Sequence, residues 1–424
     1  MFAEGVPPLG GASHHGLLWS AWRRLPCAGL MLATASVWLP LGAAQNEADP
    51  YLARARALHG EVPLIDGHND YPWAVRGRGG GPRRLDISVP QPSIMTDIPR
   101  MRAGGVGGQF WSVYVPAGDP TPVTSTLEQI DVVYRMVEEY PQTFELALTA
   151  DDVERIFGAR RIASLIGMEG GHSIESSLGA LRMFHRLGVR YMTLTHSRNT
   201  PWADSASDMP VSGGLSPFGE QVVGEMNRLG MLVDLSHTSP DTMDDALRVT
   251  SAPVIFSHSS ARGVTDVPRN VPDVILRRLP ANGGIVMVTF VPGFVSSAVA
   301  AHDRAEDTER ERLRREHPGA AAAVQTGLRR WLDENPAPRA TLSQVADHID
   351  HIRTVAGIDH VGLGSDFDGI TTVPAGLEDV STYPALTAEL LRRGYADEDV
   401  RKILGLNLLR VMRRAENVAA EHRR

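Results

Sequence analysis

Histidines and carboxylates sit at the downstream ends of apolar runs throughout this 424-residue chain, and their types suit the binding of divalent metal ions. His68 and Asp70 form an H-x-D pair at the end of the run VPLIDGH. Residues two apart on an extended strand face the same way, so both side chains can reach one cation. Taken alone, such a pair is also a common turn. Glu169 follows LIGM and precedes Gly170 and Gly171. A carboxylate has two oxygens and can bridge two cations, while the glycines permit close backbone approach. By itself Glu169 reads more readily as a turn or helix N-terminal carboxylate. His237 and His258, twenty-one residues apart, each follow a serine at the end of an apolar run. One strand, one helix and the next strand fit that interval, which would bring the two imidazoles together on neighbouring strands. Imidazole with carboxylate suits zinc, and less specifically manganese, cobalt or iron. Sharing Glu169 would give each of two ions three protein ligands and leave an open position for a bridging hydroxide.

The elements able to hold these residues show in the hydropathy pattern. Apolar runs recur at 62–68, 107–115, 162–170, 191–196, 231–237, 252–258, 284–290 and 359–366. Short runs without clean alternation suit strands buried on both faces. Amphipathic segments lie between them, among them 176–187, 217–229, 240–249 and 342–355. Strand and helix alternating eight times predict an α/β fold, a single parallel (β/α)8 TIM-type barrel, whose catalytic groups gather at the C-terminal ends of the strands. Five runs end in His68, His196, His237, His258 or Asp366, and a sixth leads into Glu169. Residues 299–340, dense in charges of both signs, predict a solvated helical insertion after the seventh strand. Glycine, proline and arginine dominate 76–92, which predicts a long loop over the barrel mouth. Without an internal repeat or linker, residues 45–424 are expected to form one domain.

The net charge of -8 offers no electrostatic case for nucleic acid. Lys402 is the only lysine, and it lies in a charged, helix-like stretch. A Schiff-base lysine and a lysine-derived bridging metal ligand are therefore both rejected. Arg23 and Arg24 precede an apolar run from Pro26 to Leu41, followed by Gly42, Ala43 and Ala44. These features predict a secretory leader over residues 1–44, cleaved after Ala44, with an uncleaved membrane anchor as the alternative. The paired arginines also permit a twin-arginine export route. Cys27, the only cysteine, falls inside that leader, so the mature domain would carry no disulfide. The charged end AENVAAEHRR speaks against a C-terminal lipid-anchor signal. The expected product is a soluble exported protein, periplasmic or secreted.

Long segments of the chain resemble the membrane (renal-type) dipeptidases, dizinc metallopeptidases of the amidohydrolase superfamily. They are LIDGHNDYPW at 64–73, GMEGGHSIESSLGALR at 167–182, YMTLTHSRNTPWADS at 191–205, GLSPFGEQVVGEMNRLGMLVDLSH at 214–237, PVIFSHSSARGVTDVPRNVPD at 253–273 and HVGLGSDFDG at 360–369. The resemblance implies two Zn2+ ions, His68 and Asp70 on one, His237 and His258 on the other, with Glu169 and a hydroxide bridging them. It also implies that His196 contacts substrate and steadies the oxyanion, that Arg269 holds a dipeptide's free carboxylate, and that Asp366 is the acid/base residue. Asp368 ranks behind Asp366 for that role. His172 is expected in a turn or behind the ligands, His360 in a structural role, and Asn199, Trp202 and Asp204 along the pocket. Phe294 stands where some members carry tyrosine. Members joined by an interchain disulfide have a cysteine this chain lacks, so an assembly would be a non-covalent homodimer. The implied activity is hydrolysis of dipeptides, including those with a C-terminal D-residue, and of some β-lactam rings. Other amidohydrolase chemistries, a lactonase or phosphotriesterase, commonly begin with H-x-H and need not recognise a carboxylate. A non-catalytic binding protein on the same barrel would be expected to lose ligands that are intact here.

Overall fold

The structure, a computed structural model, describes residues 49–76 and 85–423. The leader predicted at 1–44 lies outside the described residues, as do residues 77–84 of the predicted mouth loop. Nine parallel strands are present among the described residues: β1 (Leu64–Asn69), β2 (Val106–Ser112), β3 (Phe144–Leu146), β4 (Ile162–Met168), β5 (Val189–Thr193), β6 (Leu232–Asp234), β7 (Val254–Ser259), β8 (Ile285–Val288) and β9 (Val361–Leu363). Eight close a barrel in the order β2-β1-β9-β8-β7-β6-β5-β4, with β2 paired to β4 to complete the ring. Each predicted run supplies one of these eight, so the chain is a (β/α)8 TIM-type barrel. The ninth, β3, has only three residues and pairs with Ile162–Ser164 at the start of β4.

Period-two alternation sorts the strand side chains into two cores. Ile65, Phe110, Leu165, Tyr191, Ile255 and Met287 join one cluster with Leu408 and Met412 of the C-terminal helix. Their neighbours Leu64, Trp111, Ile166, Met192, Phe256 and Val288 join the larger cluster with the surrounding helices. Strands covered on both sides need apolar residues at every position, which is why the runs lack polar alternation.

The helices begin where local chemistry satisfies their free N–H groups. Ser216 caps Pro217–Leu229, and Ser239 caps Pro240–Val249, each with proline at the first turn. Thr341 and Gln344 form a reciprocal capping box on Leu342–Ala356. The helix expected from 176 starts at Leu178 instead, because Glu175 and Ser176 adopt left-handed φ values of 46° and 56° and Ser177 is the cap. The insertion after β8 is helical, Ser297–Glu316 followed by Ala321–Glu334, and the second helix buries none of its residues. Arg310 and Arg312 pair with Glu306 and Glu316 one turn away, the solvated face expected of that charge run. Among the described residues, no helix is long and apolar enough to cross a membrane.

Candidate functional site

The residues predicted at strand ends meet at one end of the barrel, but not at equivalent positions. His68 and His258 lie within β1 and β7, and Glu169 directly follows β4. His196, His237 and Asp366 lie three residues beyond the last residues of β5, β6 and β9. His237 and Asp366 return their side chains to the centre through left-handed backbone, φ 66° and 71°. Non-glycine residues held in that region cost about 1–3 kcal/mol each and cluster at functional sites.

Glu169 stands in the middle of the group. Its Oε2 lies 3.5 Å from His68 Nε2, which is itself 3.2 Å from Asp70 Oδ2. Its Oε1 lies 3.0 Å from His237 Nε2, 3.5 Å from His258 Nε2 and 3.7 Å from His196 Nε2. Ser112 donates a hydrogen bond to Oε2 and fixes the carboxylate's rotation. Three overlapping sets have ligand spacing: His68, Glu169 and His258; Glu169, His196 and His237; and His68, Asp70 and Asp366. His196 and Asp366, expected beside the ions rather than on them, thus stand within the same compact group.

The ring nitrogens carry the test of whether a cation fits. His237 Nε2 and His258 Nε2 lie 2.8 Å apart, and His68 Nε2 is buried without a hydrogen-bond partner among the described residues. Tyr191 donates to the Gly67 carbonyl, so its oxygen accepts from His68 Nδ1–H and turns Nε2 inward, toward Asp70 and Glu169. Burial, with the positive groups around them, holds His237 and His258 well below the usual histidine range. Neutral imidazoles converging on an anionic carboxylate are a metal donor set. Burial opposes its charge, yet His68 and His196 hold Glu169 well below the usual carboxylate range. Asp366 is pushed well above that range by burial and by the charges of Asp70 and Glu169.

A cavity of about 390 Å³ opens over this group. Arg269, 7% exposed, reaches it from the loop after β7, and among the described residues its Nη1 has no hydrogen-bond partner. Burial pushes Arg269 down to about 10, and its guanidinium lies over the Phe294 ring, 5.2 Å from the centroid. Asp368 also lines the cavity, but Oδ1 is committed to the Met95 N–H at 2.6 Å. Trp73 and Tyr114, whose rings meet edge to face, form a wall that the sequence did not single out. Both follow strand ends, the signal that marks the polar residues. Asn199, Trp202 and Asp204 do not line the cavity. After His196 the chain folds on itself: Asn199 donates to the Met209 carbonyl, Asp204 accepts the N–H groups of Val211, Ser212 and Gly214, and Trp202 packs beside Phe218 in the core. His172 and His360 bond to the carbonyls of Val115 and Gly284, as residues outside the ligand set.

Residues 52–424 match the membrane dipeptidase family, peptidase family M19. The chain belongs to that family. It is 44% identical over 405 residues to the dipeptidase ataJ of Aspergillus terreus, covering 88% of this chain and 89% of the relative. Among solved structures it is similar to the probable dipeptidase PvdM of Pseudomonas aeruginosa, with a TM-score of 0.77, 25% identity, and 87% and 99% of the two chains covered. A metallopeptidase of Rhodobacter sphaeroides, solved with a phosphinate mimic of the dipeptide L-Ala-D-Ala, gives a TM-score of 0.69 at 26% identity, covering 84% of this chain and 99% of that one. As a member of the family, the chain is a dipeptidase and a metallopeptidase.

Proposed function

We propose that this chain is an exported dizinc dipeptidase that cleaves two-residue peptides, including those with a C-terminal D-residue. His68 and Asp70 would hold one ion, His237 and His258 the other, and Glu169 both. The observation that carries this reading is the division of the Glu169 carboxylate, Oε2 toward His68 and Oε1 toward His237 and His258. When bound, zinc would supply a Lewis acid and a water acidified toward neutral pH.

The chain's own residues supply the rest. Arg269 would take the substrate's free carboxylate on its planar fork, for which Nη1, unpaired among the described residues, is available. Holding that carboxylate fixes the scissile carbonyl one residue away, and a closed barrel mouth would exclude chains longer than two residues. His196 would donate to the carbonyl oxygen as negative charge develops there. Asp366 would accept a proton from the attacking water and deliver it to the leaving nitrogen. The C–N bond breaks, the water oxygen stays on the new carboxylate, and the amine leaves protonated. Tolerance of a D-residue is supported by the ligand of the Rhodobacter relative. Export rests on Arg23, Arg24 and the apolar run from Pro26 to Leu41.

The test is release of amino acids from Gly-D-Phe, L-Ala-D-Ala and a tripeptide, with and without a chelator, for wild type and Asp366→Asn. Chelator-sensitive cleavage of the dipeptides alone, reduced by about 10²–10⁴ in the variant, is the expected result. No dipeptide turnover by the zinc-loaded chain would overturn the reading.

A further inference from the structure

Asp234, the last residue of β6, is fully buried and is absent from the ligand set, yet it ties together the segments that carry two of the ligands. Its Oδ1 accepts the backbone N–H groups of Ser236 (3.0 Å) and Ser257 (2.9 Å), the residues immediately before His237 and His258. Its Oδ2 accepts the hydroxyls of Thr193 (2.5 Å) and Ser257 (2.7 Å). Ser257 Oγ also lies 2.8 Å from His258 Nδ1. A serine hydroxyl has one proton to give, and a carboxylate can only accept. With four donors converging on Asp234, the Ser257 proton goes to the carboxylate, and the Ser257 oxygen accepts from His258 Nδ1–H. That order leaves His258 Nε2 without a proton, facing His237 Nε2 and Glu169.

The same arrangement recurs at the other side of the site. Asp66 in β1 accepts both the N–H and the hydroxyl of Ser365, each at 2.7 Å, and Ser365 immediately precedes Asp366. A buried aspartate that clamps a serine one residue before a group of the centre thus occurs twice in the barrel.

We infer that Asp234, acting through Ser257, is a positioning residue that keeps His258 in the Nδ1–H tautomer and so presents Nε2 as a metal ligand. This role rests on the dizinc reading above. Three variants separate it from ordinary packing. Ser257→Ala removes the bridging hydroxyl. Asp234→Asn reverses the relay: the amide donates to Ser257, which then donates to His258 Nδ1 and moves the ring proton to Nε2. Thr193→Val removes a hydrogen bond from the same carboxylate without touching His258.

Zinc per chain is measured after equilibration of the full chain against a graded chelator series, with the melting curve of each metal-free protein as the control for folding. Wild type is expected to hold two ions. Ser257→Ala and Asp234→Asn are expected to release one of them at about 10- to 100-fold lower chelator concentration, and Thr193→Val to follow wild type. Wild-type release curves for Ser257→Ala, or an equal shift in Thr193→Val, would overturn the inference while leaving the dizinc reading intact. A wild-type chain that takes up no zinc would instead overturn that reading, and this inference with it. Should Asp234→Asn not fold, Ser257→Ala decides alone.

Discussion

Arg269 lies in a nearly closed setting, its guanidinium over Phe294 and its Nη1 without a partner among the described residues. A buried charge is costly unless something pairs with it, and a substrate carboxylate is the group whose geometry matches the fork. Lysine would keep the charge as a point and lose the parallel pair of donors. Arg269→Lys is therefore expected to lower kcat/KM for L-Ala-D-Ala by about 10- to 100-fold, mostly through KM, as loss of one charged hydrogen bond would do. Steady-state kinetics on the dipeptide and its C-terminal amide check this, because the amide should be nearly indifferent to the change. An unaltered KM would remove Arg269 from substrate recognition. At this scale the sequence was informative wherever residue type limits chemistry: His68, Asp70, Glu169, His237 and His258 all converge. It was uninformative for Trp73 and Tyr114, since an aromatic ring reads the same in a core as in a pocket. Proximity in sequence misled for Asn199, Trp202 and Asp204, where hydrogen bonding within the loop outweighs adjacency to His196.

The elements place these residues through the close approach of three strands. A Cβ on Gly67 or Gly364 would collide with the Ser257 carbonyl oxygen, so β1 and the residue after β9 can meet β7 only where they lack side chains. Neither glycine has a positive φ, so crowding and not backbone conformation is what demands them. Gly364→Ala must part the segments bearing His258 and Asp366, and is expected to cost about 1–3 kcal/mol in urea denaturation and to lower zinc retention. Gly224→Ala is the matched control. It lies within Pro217–Leu229, its Cβ would meet nothing within 4 Å, and a gain of about 0.4–1 kcal/mol is expected there. Equal stability of Gly364→Ala and wild type would contradict the crowding. The eight barrel strands were legible because double-sided burial writes continuous apolar runs. The strand β3 was not, since three residues with only Phe144 fully covered leave no run to read. Strand ends were legible only to within three residues, because left-handed turns at His237 and Asp366 carry the functional groups past the ladder.

For the whole molecule, buried neutral histidines couple stability to acidity. His59 donates from Nδ1 to the Gly104 carbonyl and meets Thr387 through Nε2, tying the helix Pro50–Glu61 to those at Ile98–Gly104 and Tyr383–Arg392. His348 accepts the Ala261 N–H at Nδ1. Burial pushes both down to about 4. An unfolded histidine titrates near ~6.5, so between that pH and about 4 the unfolded chain takes up protons that the folded chain refuses. Stability from each group is therefore complete above the unfolded value and declines as pH falls, by as much as about 3 kcal/mol per histidine. Asp66 and Asp368 are raised by burial and work in the opposite direction over the carboxylate range, so the raw slope mixes both signs. The difference between two proteins isolates one group. His59→Asn retains a donor toward Gly104 and cannot titrate. The stability gap between wild type and His59→Asn should narrow by about 3 kcal/mol from pH 7 to pH 4, measured by urea unfolding across that range. Parallel curves would mean that His59 enters the unfolded chain with its proton affinity unchanged, and that its burial does not set the acid limit of the fold.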